Sequence, residues 1–145
     1  MDAIKFLLKE HNKIKTTFKK LSKYRKSFEI KQRRFNKLCS SLIIHETMEH
    51  KTWYPHFKND PLVKKIVKHL ISEEKSAAAT IKSFKKIKIE TVWEKKFTKF
   101  KKDVLAHAAE EQNKLFAKVK KLFNSNQLKM IGKKMEKFKM MKEKS

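Results

Sequence analysis

Apolar residues recur along this chain at alternating spacings of three and four, the period of one face of an α-helix rather than of a strand. Ile4, Leu7, His11, Ile14, Phe18 and Leu21 form the first such face, on a helix predicted from an Asp2 cap to about Tyr24. A loop within Arg25 to Ile30 comes next. Phe35, Leu38, Leu42, His45, Glu49, Thr52 and His56 then line a second helix, expected from about Lys31 to Phe57. Asn59-Asp60-Pro61 punctuates the chain, with Asp60 suited to capping and Pro61 to the first helical position. A third face carries Val63, Val67, Leu70, Glu74, Ala77, Ile81 and Phe84. The period breaks around Lys88 to Thr91, and a fourth helix from about Val92 to Phe123 turns Phe97, Phe100, Val104, His107, Glu111 and Leu115 inward. After the break at Asn124-Ser-Asn126, Leu128, Ile131, Met135 and Phe138 give a basic amphipathic pattern. The pattern predicts an all-α, up-and-down antiparallel four-helix bundle over residues 1–123. Residues 124–145 form a short helical segment, docked on the bundle rather than seeking a membrane surface.

Polar residues interrupt these apolar lines at matching heights. His11, His45, Glu74 and His107 each stand 13 to 15 residues from the nearest predicted loop, about 20 Å along the axis at about 1.5 Å rise per residue. They therefore share one level and point inward. His45 and Glu49 are four residues apart, as are His107 and Glu111, so each pair is stacked on one helical face. A buried carboxylate without a partner costs about 3–5 kcal/mol, and three gathered at one level demand a cation. His11, His45, Glu49, Glu74, His107 and Glu111 are thus candidate metal ligands. Six donors exceed one tetrahedral zinc and suit a two-metal centre bridged by Glu49 and Glu111. Mixed nitrogen and oxygen ligation favours iron, with manganese or zinc open to the same donors. The alanines at 77–79, 106, 108 and 109 leave room for a small ligand. Glu46 is a further donor on the flank, and His56 is expected to be structural. His50 and His69 read as surface residues.

Composition narrows the alternatives. One glycine and two prolines in 145 residues leave little turn chemistry for a sheet protein. The single cysteine, Cys39, forms no intrachain disulfide and fits a reducing cytoplasm. No apolar run approaches the roughly 18–20 residues of a membrane span, and the charged N-terminus does not resemble a signal peptide. The net charge of +24 attracts anions in general. Yet only Arg25, Arg33 and Arg34 are arginines among 39 basic residues, and the lysines are dispersed over every helix. A dedicated nucleic-acid reader would cluster arginines and interleave stacking aromatics. Nucleophile triads, phosphate loops and cysteine clusters are missing from the sequence, so no defined turnover is assigned.

The sequence resembles the hemerythrin family, specifically the bacterial HHE cation-binding domains. The resemblance rests on Asp2-Ala-Ile, Glu10-His11, His45-x-x-x-Glu49 followed by Trp53-Tyr54-Pro55, His107-x-x-x-Glu111 followed by Leu115-Phe116, and Ile131-Gly132-Lys-Lys-Met135. It implies a bundle holding two non-haem iron ions joined by a bridging oxo or hydroxo group. The same resemblance implies that oxygen or another small diatomic or peroxide ligand is bound or sensed. On the third helix the family usually has Glu-His, whereas this chain reads Glu73-Glu74-Lys75. The apolar line places Glu74 inward, so a carboxylate replaces an imidazole and stabilises the ferric state. Were Lys75 inward instead, its ammonium would stand in for a cation and leave one metal or none. Two rival expectations accompany this one: a di-iron oxidase or peroxide-consuming enzyme using the same ligands, and a basic nucleic-acid or membrane module with a degenerate metal site.

Overall fold

A computed structural model of the chain describes residues 1–144. Its elements are α1 (Ala3–Lys23), α2 (Phe28–Thr52), a 3-10 turn (Tyr54–Phe57), α3 (Pro61–Phe84), α4 (Glu90–Glu110), a π-helical turn (Glu111–Phe116), α5 (Ala117–Leu122) and α6 (Ser125–Lys144). There is no strand among the described residues. α1 to α4 pack as neighbours around a common core, giving the all-α bundle that the periodicity predicts.

Local chemistry sets most of the ends. The Asp2 carboxylate accepts from Lys5 N–H, the Ser27 hydroxyl from Ile30 N–H, and Asp60 from both Leu62 and Val63 N–H with Pro61 just inside. Each satisfies donors that a helix start leaves free. Before α6, Asn124 and Gln127 bond each other's backbone N–H reciprocally at 2.8 and 2.9 Å, the geometry of a capping box.

Two boundaries differ from the sequence expectation. The second helix starts at Phe28 rather than Lys31, because Ser27 supplies the cap. Lys31 is buried within it, paired with Glu94 at 2.8 Å and 5.0 Å from the Phe97 ring centre. The same helix ends at Thr52, and the 3-10 turn around Pro55 rotates the residues beyond it. Trp53, Tyr54 and Phe57 are buried in consequence, while His56, expected on the inner line, is exposed. The long fourth helix is interrupted by the π turn, which widens the coil by one residue per turn and keeps Glu111, Leu115 and Phe116 all buried.

The apolar core falls into two clusters. One holds Leu7, Met48, Trp53, Leu70, Leu115, Val119 and the α6 residues Leu128, Ile131 and Met135. The other is aromatic: Phe35 meets Phe84, Trp93, Phe97 and Phe100 with ring centres 4.5 to 5.8 Å apart. The polar side chains lie between the two, so each helix carries its histidine or glutamate across a belt closed above and below by hydrocarbon. α6 packs on α1 and α2, and its Gly132 runs so close that an added Cβ would sit 2.2 Å from the Met1 carbonyl oxygen.

Candidate metal centre

The belt brings His11, His45, Glu49 and Glu111 together, with His107 and Glu74 as a separate pair across it. His11, His45 and Glu111 each offer a donor atom, and those atoms lie within 4.8 Å of one another. Nε2 of His11 is 3.0 Å from Glu111 Oε1, and Nε2 of His45 is 3.0 Å from Glu49 Oε1. Across the belt Nε2 of His107 is 3.3 Å from Glu74 Oε2. The Nε2 atoms of all three histidines face carboxylates, and the reason is on their other side. Nδ1 of His11 meets Gln112 Oε1 at 3.2 Å, Nδ1 of His45 meets Glu10 Oε1 at 3.5 Å, and Nδ1 of His107 meets Glu73 Oε1 at 3.0 Å. An outer acceptor on Nδ1 fixes the ring and leaves Nε2 free as a ligand. Glu10 is itself tied to Lys139 of α6.

Glu49 and Glu111 provide the test of whether these residues suit a metal. All four of their carboxylate oxygens are shut off from solvent and lack a hydrogen-bond donor, although histidine nitrogens stand close. Carboxylate oxygens buried beside imidazole nitrogens in this way would be satisfied by a first-row metal ion. The donor set is also right, neutral imidazoles and hard carboxylates. The residues fit.

The electrostatics of the protein alone agree. Burial, together with the charge of Glu111, pushes Glu49 well above the usual carboxylate range. Glu111 is buried too, which by itself would raise it, yet the Glu49 carboxyl and the His11 imidazole beside it bring it down to about 2. The two carboxyls therefore cannot both be bare, and a proton takes the position of a cation. Burial disfavours a charged His45, but Glu49 and Glu10 override it and raise its pKa well above 6.5. His107 is raised to about 9, with burial again outweighed by its bonds to Glu74 and Glu73. Burial lifts Glu46 to about 7, assisted by Glu74.

Several contributors escape a reading of the sequence. Tyr54 donates its hydroxyl to Glu74 Oε2 at 2.6 Å, and His50, read as a surface residue, lies 2.8 Å from Glu74 Oε1. Glu10, Gln112 and Glu73 show only by adjacency to His11, Glu111 and Glu74. A cavity of about 320 Å³ lies against the belt, lined by Leu42, Glu46, Ala77, Val104, Ala106 and His107 among others. The alanines at 77 and 106 thus do make room. A second grouping of His69, Glu73 and Glu110 lies nearer the surface; Lys114 pairs with Glu110 at 3.2 Å and supplies its countercharge without a metal.

Over residues 2–119 the sequence matches the family described as hemerythrin HHE cation binding domain. The chain belongs to that family. Among solved structures, it is similar to a hemerythrin HHE cation binding domain-containing protein from Mycobacterium kansasii. The TM-score is 0.82 at 22% identity, covering 97% of this chain and 86% of that one. No curated protein matches the sequence. As an HHE domain the chain is a metal-binding protein, and its third helix decides between the inward Glu74 and inward Lys75 registers. Glu74 is buried and Lys75 is exposed, so the Lys75 ammonium stays out of the belt and a carboxylate stands where the resemblance leads one to expect an imidazole.

Proposed function

We propose that this chain is a non-haem di-iron protein of hemerythrin type that binds or senses iron, oxygen or a related small ligand. The observation that carries the reading is the donor-free, solvent-shielded pair Glu49 and Glu111, flanked by oriented imidazole nitrogens. In it His11, His45, His107, Glu49, Glu74 and Glu111 would hold the ions. Bound iron would supply a redox-active Lewis acid able to take a small ligand.

The chain's own residues do the rest. Glu10, Gln112 and Glu73 hold the imidazoles in one tautomer, while Tyr54 restrains Glu74 against rotation. Trp53, Leu115 and Phe116 on one side and Leu42 and Phe100 on the other keep bulk water out. The cavity beside Ala77 and Ala106 is where a small molecule reaches the belt. Glu74 in place of a neutral donor adds negative charge to one half and favours the ferric state, which speaks for sensing or iron oxidation over reversible oxygen carriage. Cys39, free and buried, fits a reducing cytoplasm, and no helix among the described residues is long and apolar enough to cross a membrane.

The test is metal quantification after anaerobic iron loading, followed by near-ultraviolet absorption on exposure to air. Close to two irons per chain with a new charge-transfer band is expected. One iron or none defeats the dinuclear assignment. Sustained consumption of oxygen or peroxide by the loaded protein would move it to the oxidase class.

A further inference from the structure

A second concavity runs from the edge of the metal belt along the seam between α1 and α2. Its volume is about 460 Å³, and its walls are the facing stretches Glu10 to Tyr24 and Arg34 to His45, with Lys139 and Glu143 of α6 at one end. That volume falls in the range of roughly 300–1,000 Å³ typical of small-molecule sites. Over 14 residues of helix the cleft runs about 21 Å, a slot rather than a bowl.

Its chemistry is divided along its length. Leu21 and Leu38 form a buried floor, and Ile14 and Ile44 stand half-buried beside them. At the end near the α1–α2 turn, Lys20, Arg34 and Lys37 rim the slot. The Arg34 guanidinium lies 4.7 Å over the Tyr24 ring, which holds it in place in advance of any ligand. At the opposite end Lys13 joins the rim, and Glu10, beside Glu143, is already bound to His45 and Lys139. One end thus gathers cations with no carboxylate in the lining beside them, the middle is hydrocarbon, and at the far end the cations already face Glu10 and Glu143.

We propose that this cleft binds a long-chain fatty acid, with its carboxylate among Lys20, Arg34 and Lys37 and its alkyl chain over Ile14, Leu21, Leu38 and Ile44. A phosphodiester backbone would leave the floor unfilled, and a bilayer surface cannot descend between two packed helices. A single chain can do both. The proposal does not rest on the iron reading, since none of the side chains assigned to the acid is a metal donor.

The experiment follows the fluorescence of dansyl-undecanoic acid bound to the protein as purified, displaced by palmitate below its micellar concentration. One equivalent of palmitate should displace the probe. Arg34→Glu with Lys37→Glu should weaken binding about tenfold or more, the scale of lost charge-assisted bonds. Ser41→Trp, at an exposed position midway along the slot, should abolish it. Lys64→Glu with Lys65→Glu makes the same charge change on exposed positions of α3 and should stay within about twofold. Circular dichroism checks that all variants keep their helix. Failure of the probe to bind overturns the proposal. So does equal displacement by methyl palmitate or inorganic phosphate, equal weakening in the α3 variant, or full binding by Ser41→Trp. A signal moved only by phosphatidylglycerol vesicles assigns the cations to a lipid surface and likewise overturns it.

Discussion

Glu49 and Glu111 are cut off from water on every oxygen, and the groups around them answer to pH in two directions. His107, at about 9 against an ordinary 6.5, and Glu49, raised above 4.5, hold protons more tightly in the fold than in the unfolded chain. Their contribution to stability is fully present below those ordinary values and is lost as pH rises through the folded ones. Glu10 and Glu111, both held at about 2, contribute above about 4.5 and lose that contribution as pH falls toward 2. The metal-free protein should therefore be most stable between about pH 4.5 and 6.5, and its urea midpoint should drop from pH 6 to 9. A midpoint that rises over that interval contradicts the protonation scheme. Metal must displace the same protons, so affinity for it should climb over that range. Substitutions grade the site: Glu49→Ala or His107→Ala should abolish metal binding, whereas Glu110→Ala should leave it intact. Glu10→Ala, which frees the back of His45 and releases Lys139, should weaken binding roughly 10–100-fold, read by competition with a chelator. Equal retention in all four variants would sink the assignment. Cys39 lies in the aromatic cluster, and burial pushes its thiol up to about 12. Alkylation by iodoacetamide at pH 8.5 should accordingly be at least about tenfold slower in the folded chain than in urea.

At the scale of single elements, Gly132 marks where α6 meets the start of α1. Gly132→Ala would drive a methyl group into the Met1 carbonyl, and the two elements would have to part. A loss of about 1–3 kcal/mol is expected, measurable by urea unfolding, although alanine is the better helix former. The same scale explains how much of the site is legible in the sequence. Four-residue spacing maps directly onto one helical face, so His45 with Glu49 and His107 with Glu111 are visible as pairs. Distance from the loops gives their common height. The third-helix register comes from Leu70, Glu74, Ala77 and Ile81, and Glu74 is indeed inside. Side chains that act across helices leave no such trace: His50 lies off the inner line of α2 and reaches Glu74 only because α2 and α3 are antiparallel neighbours. Tyr54 depends on the turn that Pro55 forces after Thr52, and His56 leaves the inner line for the same reason. The π turn at Glu111–Phe116 has no marker residue at all, since an ordinary α-helix already puts Glu111 and Leu115 on one face.

The whole molecule carries +24, and the acidic residues that might offset it are drawn inward: Glu10, Glu49, Glu74 and Glu111 are all buried. The surface is therefore more basic than the composition suggests, and its lysines repel one another. Raising sodium chloride from about 20 to about 500 mM should increase the melting temperature by a few degrees, as the Debye length shrinks from about 20 to about 4 Å. The same salt should release DNA at moderate concentration if retention is charge alone, whereas tight binding persisting at high salt would revive a dedicated nucleic-acid role. One ion pair joins the last helix to the site. Lys139, in the last turns of α6, grips Glu10, and Glu10 holds His45. The tail of the chain is thereby fastened to the ion-binding belt through a single intermediary, and the two ends of that fastening stabilise each other. Filling the belt should slow deuterium uptake by the amides around Lys139, and cutting the chain before that lysine should make the belt release its metal sooner.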